Sequence, residues 1–330
     1  MEFNQYGQIS RLYDKEAERS ILAEGENGNV LQIFEDKPLA HDAWDIDIFY
    51  QEKMEEIRQL VEFEVVENGS LAIEIQAKWH YHKSEFTQKI TFYANERRID
   101  FKTEADWHEK HKLLKTAFPV DIRATEATYD VQYGNVKRPN HWNTSWDMAR
   151  FESVGHQWAD LSEAGFGVSL LNDSKYGYDI KEHRMRLTLL KAATHPDPHA
   201  DQGHHTFTYS LYPHTGDWRE AKTVEKAWDL NDPVMVLQGE WKDENSFLDL
   251  HSDHVWVDAV KPAQDGKGVI VRVHEYEGRR GKATVQIHKP VENWIETNLM
   301  EESIGEEQQG STIEFKIKPY EIKTFRLQVK

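Results

Sequence analysis

This chain reads as all-β, a large antiparallel β-sandwich of the supersandwich kind followed by a smaller β-sandwich domain. Three observations predict it. Apolar and polar residues alternate over long stretches, strand follows strand with no βαβ rhythm, and Trp, Tyr and Phe make up 12% of 330 residues. Aromatic side chains of that abundance suit broad sheets better than helical bundles.

The elements follow in order. Leu71, Ile73, Ile75, Ala77, Trp79 and Tyr81 lie on one face of a strand, with Glu74, Gln76, Lys78 and His80 opposite. Phe86, Ile90 and Phe92 continue the pattern, and the turn Ala94-Asn95-Glu96 leads to Ile99, Phe101, Thr103, Ala105 and Trp107. Long strands joined by short polar turns predict an antiparallel meander. Further strands are expected at 113–121, 127–133, 166–172, 185–191 and 206–212. Together they make a domain spanning residues 1–216.

Around 217–233 the period changes. Asp217 is placed to cap a short helix carrying Trp218, Ala221, Val224, Ala227 and Trp228, ended by Asn231-Asp232-Pro233. This is expected to be the hinge. Strands at 245–250, 255–261, 268–275, 282–288 and 311–329, with turns at Asp265-Gly266 and Glu277-Gly278, predict the smaller sandwich over 234–330.

Composition excludes several classes of function. A formal charge of −18 argues against nucleic acid and against anionic membrane surfaces. With no cysteine, disulfides, thiolate nucleophiles and Cys-containing zinc sites are absent. The opening MEFNQYGQIS has no basic or apolar signal region, and no apolar run is long enough to span a bilayer, so a cytoplasmic location is expected. A neutral, hydroxyl-rich partner such as a carbohydrate suits this charge.

Three polar and aromatic clusters interrupt the strands. RPNHWNTSWDMARFE (138–152) offers Arg138, His141, Asn143, Trp146 and Asp147: aromatic faces for the apolar side of a sugar ring and planar polar groups for its hydroxyls. The competing reading is a loop that packs its own Trp residues and bonds its own backbone. LNDSKYGYD (171–179) sets Asp173, Lys175 and Tyr176 at a strand exit, where ligands are met by loops on a rigid scaffold. Asn-Asp-Ser is also ordinary turn chemistry. HADQGHHTFTYSLYPHTGDW (199–218) contributes Asp201 and His205. The chain has seventeen histidines, but their spacing matches no zinc motif, so no metal site is assigned and His205 is expected to be a hydrogen-bonded structural group. Glycoside hydrolysis needs two carboxyls about 5–9.5 Å apart. DAWDID (42–47) is the one compact candidate, and a docked edge loop is the favoured reading of it. No catalytic residue is assigned to this chain.

The three clusters resemble the C-terminal part of the bacterial class II α-mannosidases, glycoside hydrolase family 38. DKEAERSILAEGENGNVLQIFEDKP with DAWDID looks like the opening of that family's large β-domain. KPAQDGKGVIVRVHEYEGRRGKATVQI, ETNLMEE and KPYEIKTFRL are similar to its small terminal β-domain. The resemblance implies hydrolysis of terminal α-mannosides with retention. The nucleophile, and zinc or another divalent metal, would then belong to an N-terminal catalytic domain expected before residue 1. It also implies that the ten residues named above wall the cleft or meet that domain. The chain by itself is expected to be inactive, with the catalytic domain and an α-mannoside as partners and homo-oligomerisation open. A stand-alone carbohydrate-binding module, a mutarotase-like epimerase and an oligomerisation domain remain as rivals.

Overall fold

A computed structural model describes residues 1–239 and 246–329. The chain divides into two compact units, residues 1–130 with 136–234, and residues 131–135 with 235–330.

The first unit is built on a nine-stranded and a six-stranded sheet. The larger has the order 134–139, 126–131, 158–163, 166–172, 203–215, 99–107, 84–93, 72–81, 59–68. The expected meander is its 72–107 segment, with Ala77 opposite Gln88 and Phe101 opposite Ile90. The smaller sheet runs 153–154, 177–181, 184–191, 112–119, 30–35, 54–56. Their facing sides close one apolar core. Phe101 and Tyr209 of the large sheet stack at 5.1 Å, and Phe118 of the small sheet meets them at 5.6 and 6.3 Å. Each such pair adds about 0.5–1.5 kcal/mol beyond area burial.

In the 217–233 region the helix starts later than expected and with a different cap. The helix is Thr223–Asn231, and its N-cap is Lys222 in the left-handed region at φ 57°. Asp217 instead accepts from the backbone N–H of Arg219 and Glu220, closing the preceding turn. The segment also packs on the first unit. Trp218 packs on Trp158 at 5.0 Å, and Thr223 bonds Ser169 at 2.9 Å. The apolar stripe that marks the helix is therefore used against strands 158–163 and 166–172 of the first unit.

The second unit holds a three-stranded sheet (248–251, 281–287, 312–317) and a five-stranded one (255–262, 269–275, 322–329, 291–297, 308–309). Val271, Val285, Ile313, Phe325 and Leu327 form its core. The strand expected at 245–250 is Leu248–His251, and residue 245 lies outside the described residues. The strand expected at 311–329 is two strands, Thr312–Ile317 and Ile322–Val329, because Tyr320 turns the chain at φ 57°.

Candidate functional site

The second and third clusters converge. Strand Phe166–Asn172 and strand Gly203–Thr215 are antiparallel neighbours. The pairing carries on beyond Asn172: the Asp173 N–H donates to the Thr208 carbonyl at 3.1 Å, and Asp173 Oδ2 accepts from the Thr208 N–H at 2.8 Å. With Asp173 clamped, Lys175 lies over the Phe207 ring, its Nζ 4.5 Å from the centroid. Burial lowers the Lys175 ammonium below the ordinary lysine value, against the opposing pull of Asp201 and Asp173. His205 Nε2 meets the Asp201 carbonyl at 2.9 Å. Tyr176 is 52% exposed and tilts against His156 at 5.4 Å. This rim thus presents one half-buried cation between two carboxylates, next to an aromatic face.

The first cluster is split. Arg138 donates to the Val154 carbonyl at 2.7 Å and covers the Tyr129 ring at 4.6 Å. The loop after it is anchored by buried Asn140. Its Nδ2 donates to the carbonyls of Ala124 (3.0 Å) and Glu182 (2.7 Å). Thr144 and Asp147 form a reciprocal capping box on the single-turn helix Ser145–Met148. His141 Nδ1 stands 3.6 Å from the Asp147 carboxylate and accepts weakly, at 3.4 Å, from the Asn143 N–H. Asp147 Oδ2 is engaged locally, accepting from the N–H and the hydroxyl of Thr144. Trp142 is also satisfied, with Lys181 Nζ 3.5 Å above its ring. Trp146 is not: it is 79% exposed.

His141 and Asn143, together with Asn140, line a cleft of about 600 Å³ whose other walls include Arg19, Arg123 and Glu163. Glu163 sits in the hairpin that opens strand Phe166–Asn172, whereas Asp173 follows that strand's far end. Seven strand residues separate the two ends, roughly 20 Å at about 3.3 Å per residue. The structure therefore places Asp173, Lys175, Tyr176, Asp201 and His205 in one locality and His141 and Asn143 in another.

DAWDID is a loop, not a strand, so Asp45 and Asp47 do not pair across a face. Asp42 accepts from the Thr194 and His195 N–H groups, and Asp47 from the Leu39 N–H. Carboxylates held this way secure loops and form no acid–base pair. Among the described residues no group of three or more His, Asp or Glu side chains is arranged to hold a metal ion.

One polar cluster escaped sequence reading. Fully buried Lys115 contacts Glu152, lies 3.8 Å from Asp179 and donates to Tyr50 Oη at 2.9 Å; Arg186 bonds Asp179 at 2.8 Å. Its members come from five separate segments, so no local pattern announces it. It ties Glu152, the last residue of the first motif, into the six-stranded sheet.

Comparison with known proteins agrees with this architecture. Residues 1–199 match the glycosyl hydrolases family 38 C-terminal domain, and residues 254–325 match the glycosyl hydrolases family 38 C-terminal beta sandwich domain. Alpha-mannosidase G of Dictyostelium discoideum is 39% identical across 97% of this chain and 31% of that protein. Alpha-mannosidase 2C1 of Homo sapiens is 34% identical across 89% of this chain and 29% of that protein. The chain thus spans about a third of these relatives' length. Among solved structures, an alpha-mannosidase from Enterococcus faecalis V583 superposes with a TM-score of 0.77 at 17% identity, over 99% of this chain and 41% of that one, a likeness of fold. Two family models in series, each on its own β unit, carry the assignment: the chain belongs to glycosyl hydrolase family 38 and comprises C-terminal β-domains of that family.

Proposed function

We propose that this chain is the non-catalytic C-terminal part of an α-mannosidase that cleaves terminal α-mannosides with retention. In this reading it supports and partly lines a cleft whose nucleophile and divalent metal, zinc or another, are supplied by a preceding catalytic domain. The observation that carries it is the serial match to both C-terminal family models over a chain a third the length of its mannosidase relatives. The described residues do not fit a metal, so no step runs through one here.

The work left to this chain is positioning and exclusion of water. The Asp173–Thr208 clamp supports the rim, and Lys175 offers a partly desolvated donor for sugar hydroxyls. Tyr176 and Trp146 offer exposed ring faces. Arg138, His141, Asn143 and Asp147 belong to the domain-facing surface in this reading. In this reading the enzyme is cytoplasmic. No helix among the described residues is long and apolar enough to cross a membrane.

The test is hydrolysis of an aryl α-mannoside by the purified chain, with added zinc or cobalt and with chelator. No turnover alone, and turnover once joined to the catalytic part of the same enzyme, is the expected result. Metal-dependent turnover by the chain alone refutes the proposal.

A further inference from the structure

The second unit carries a polar groove that the proposed mannosidase role does not use. The chain crosses between its two sheets at Gln309-Gly310-Ser311-Thr312, with Gly310 at φ 101°. At that crossing the edge strand Gln308–Gln309 of one sheet and the outermost strand Thr312–Ile317 of the other leave the sandwich open. A groove of about 510 Å³ lies there, within the range of small-ligand sites. Trp294, Glu296, Glu306, Gln308, Gln309 and Thr312 are among the residues that line it.

The register shows how it is built. Trp294 lies opposite Leu327 and Glu296 opposite Phe325, so both share the face that carries the core. Trp294 packs edge-on against Phe325 at 5.7 Å, which holds the indole in place. Its Nε1–H is buried and has no acceptor. Glu296 pairs with Lys323 at 2.5 Å, Glu306 and Glu314 also line the groove, and no cation is among its lining residues, so its walls are acidic and can accept from sugar hydroxyls. An anionic ligand therefore finds no free positive charge. The two carboxamides donate and accept, as sugar hydroxyls do, and the Thr312 hydroxyl, which donates to Gln286 Oε1 at 2.7 Å, keeps a lone pair to accept with, while the indole offers an apolar surface for a ring face.

We infer that this groove is a binding site for a neutral saccharide, separate from the Lys175 rim and independent of the mannosidase reading. The experiment follows the Trp294 indole N–H resonance of the full chain, assigned with Trp294→Phe. Titrants are mannotriose, maltotriose and cellotriose, with tetralysine as a cationic control. At least one trisaccharide is expected to shift that resonance at millimolar concentration. The double variant Gln308→Ala/Gln309→Ala, altered only at exposed edge positions, should weaken binding roughly tenfold or more without changing the thermal midpoint. Three outcomes overturn the inference: no shift with any trisaccharide, a shift with tetralysine alone, or saccharide binding that survives the double variant unchanged.

Discussion

Glu275 is fully buried at the end of strand Val269–Glu275, and its carboxylate clasps four backbone N–H groups. Oε1 accepts from Glu277 (2.9 Å) and Arg279 (3.1 Å); Oε2 accepts from Gly278 (2.9 Å) and Tyr320 (2.8 Å). Glu275→Gln keeps the shape but replaces one oxygen with an NH2 group. Two N–H donors then face a donor, and flipping the amide only exchanges which two. At about 1–3 kcal/mol for each orphaned donor, partly relieved by relaxation, the expected loss is about 3 kcal/mol. For a unit of this size each kcal/mol lowers the midpoint by about 4–8 °C, so the small sandwich should melt about 12–24 °C earlier. Calorimetry of the full chain should show the earlier melt, and hydrogen exchange should quicken at the amides of 277, 278, 279 and 320. A change within about 0.5 kcal/mol, the range of ordinary surface substitutions, refutes the view that the clasp holds this turn.

Other expectations concern the first unit. Burial pushes the Lys115 ammonium down to about 8 from an ordinary 10.5, against the pull of Asp179. Between those values the unfolded chain holds a proton that the folded chain has released, so stability should rise with pH above about 8. Above about 10 the trend reverses, because burial raises the Tyr50 phenol, which keeps its proton in the folded chain alone. Lys115→Met should abolish the rise in urea titrations measured across this window. Asn140→Ala leaves the carbonyls of Ala124 and Glu182 without their donor. It should cost about 2 kcal/mol, on the order of 5 °C in thermal unfolding. In the chain joined to a catalytic part, Lys175→Met should lower kcat/KM for an aryl α-mannoside roughly tenfold with an unchanged midpoint. Unaltered kinetics would remove Lys175 from the cleft.

Alternation alone determined the all-β class and the 72–107 meander, because one face of each strand meets a core and the other meets water. Strand Phe166–Asn172 was legible at both ends, since its apolar run stops at Asn-Asp-Ser. Strands whose alternation is masked were not legible. Gln59–Asn68 is a sheet-edge strand carrying two register shifts, and Gly177–Lys181 holds Asp179 where an apolar residue would announce a buried strand. The candidate residues were legible by type but not by neighbourhood. Asp173, Lys175 and Asp201 meet because strands 166–172 and 203–215 pair, a fact of register across some thirty residues. His141 and Asn143 belong to another cleft because Asn140 is anchored to Ala124 and Glu182. Side-chain chemistry is written along the chain, while the distances that turn it into a site are set by strand pairing and by buried hydrogen bonds between remote segments. Tertiary structure alone therefore decided which polar residues share a rim, which hold a loop, and where the Trp294 groove opens.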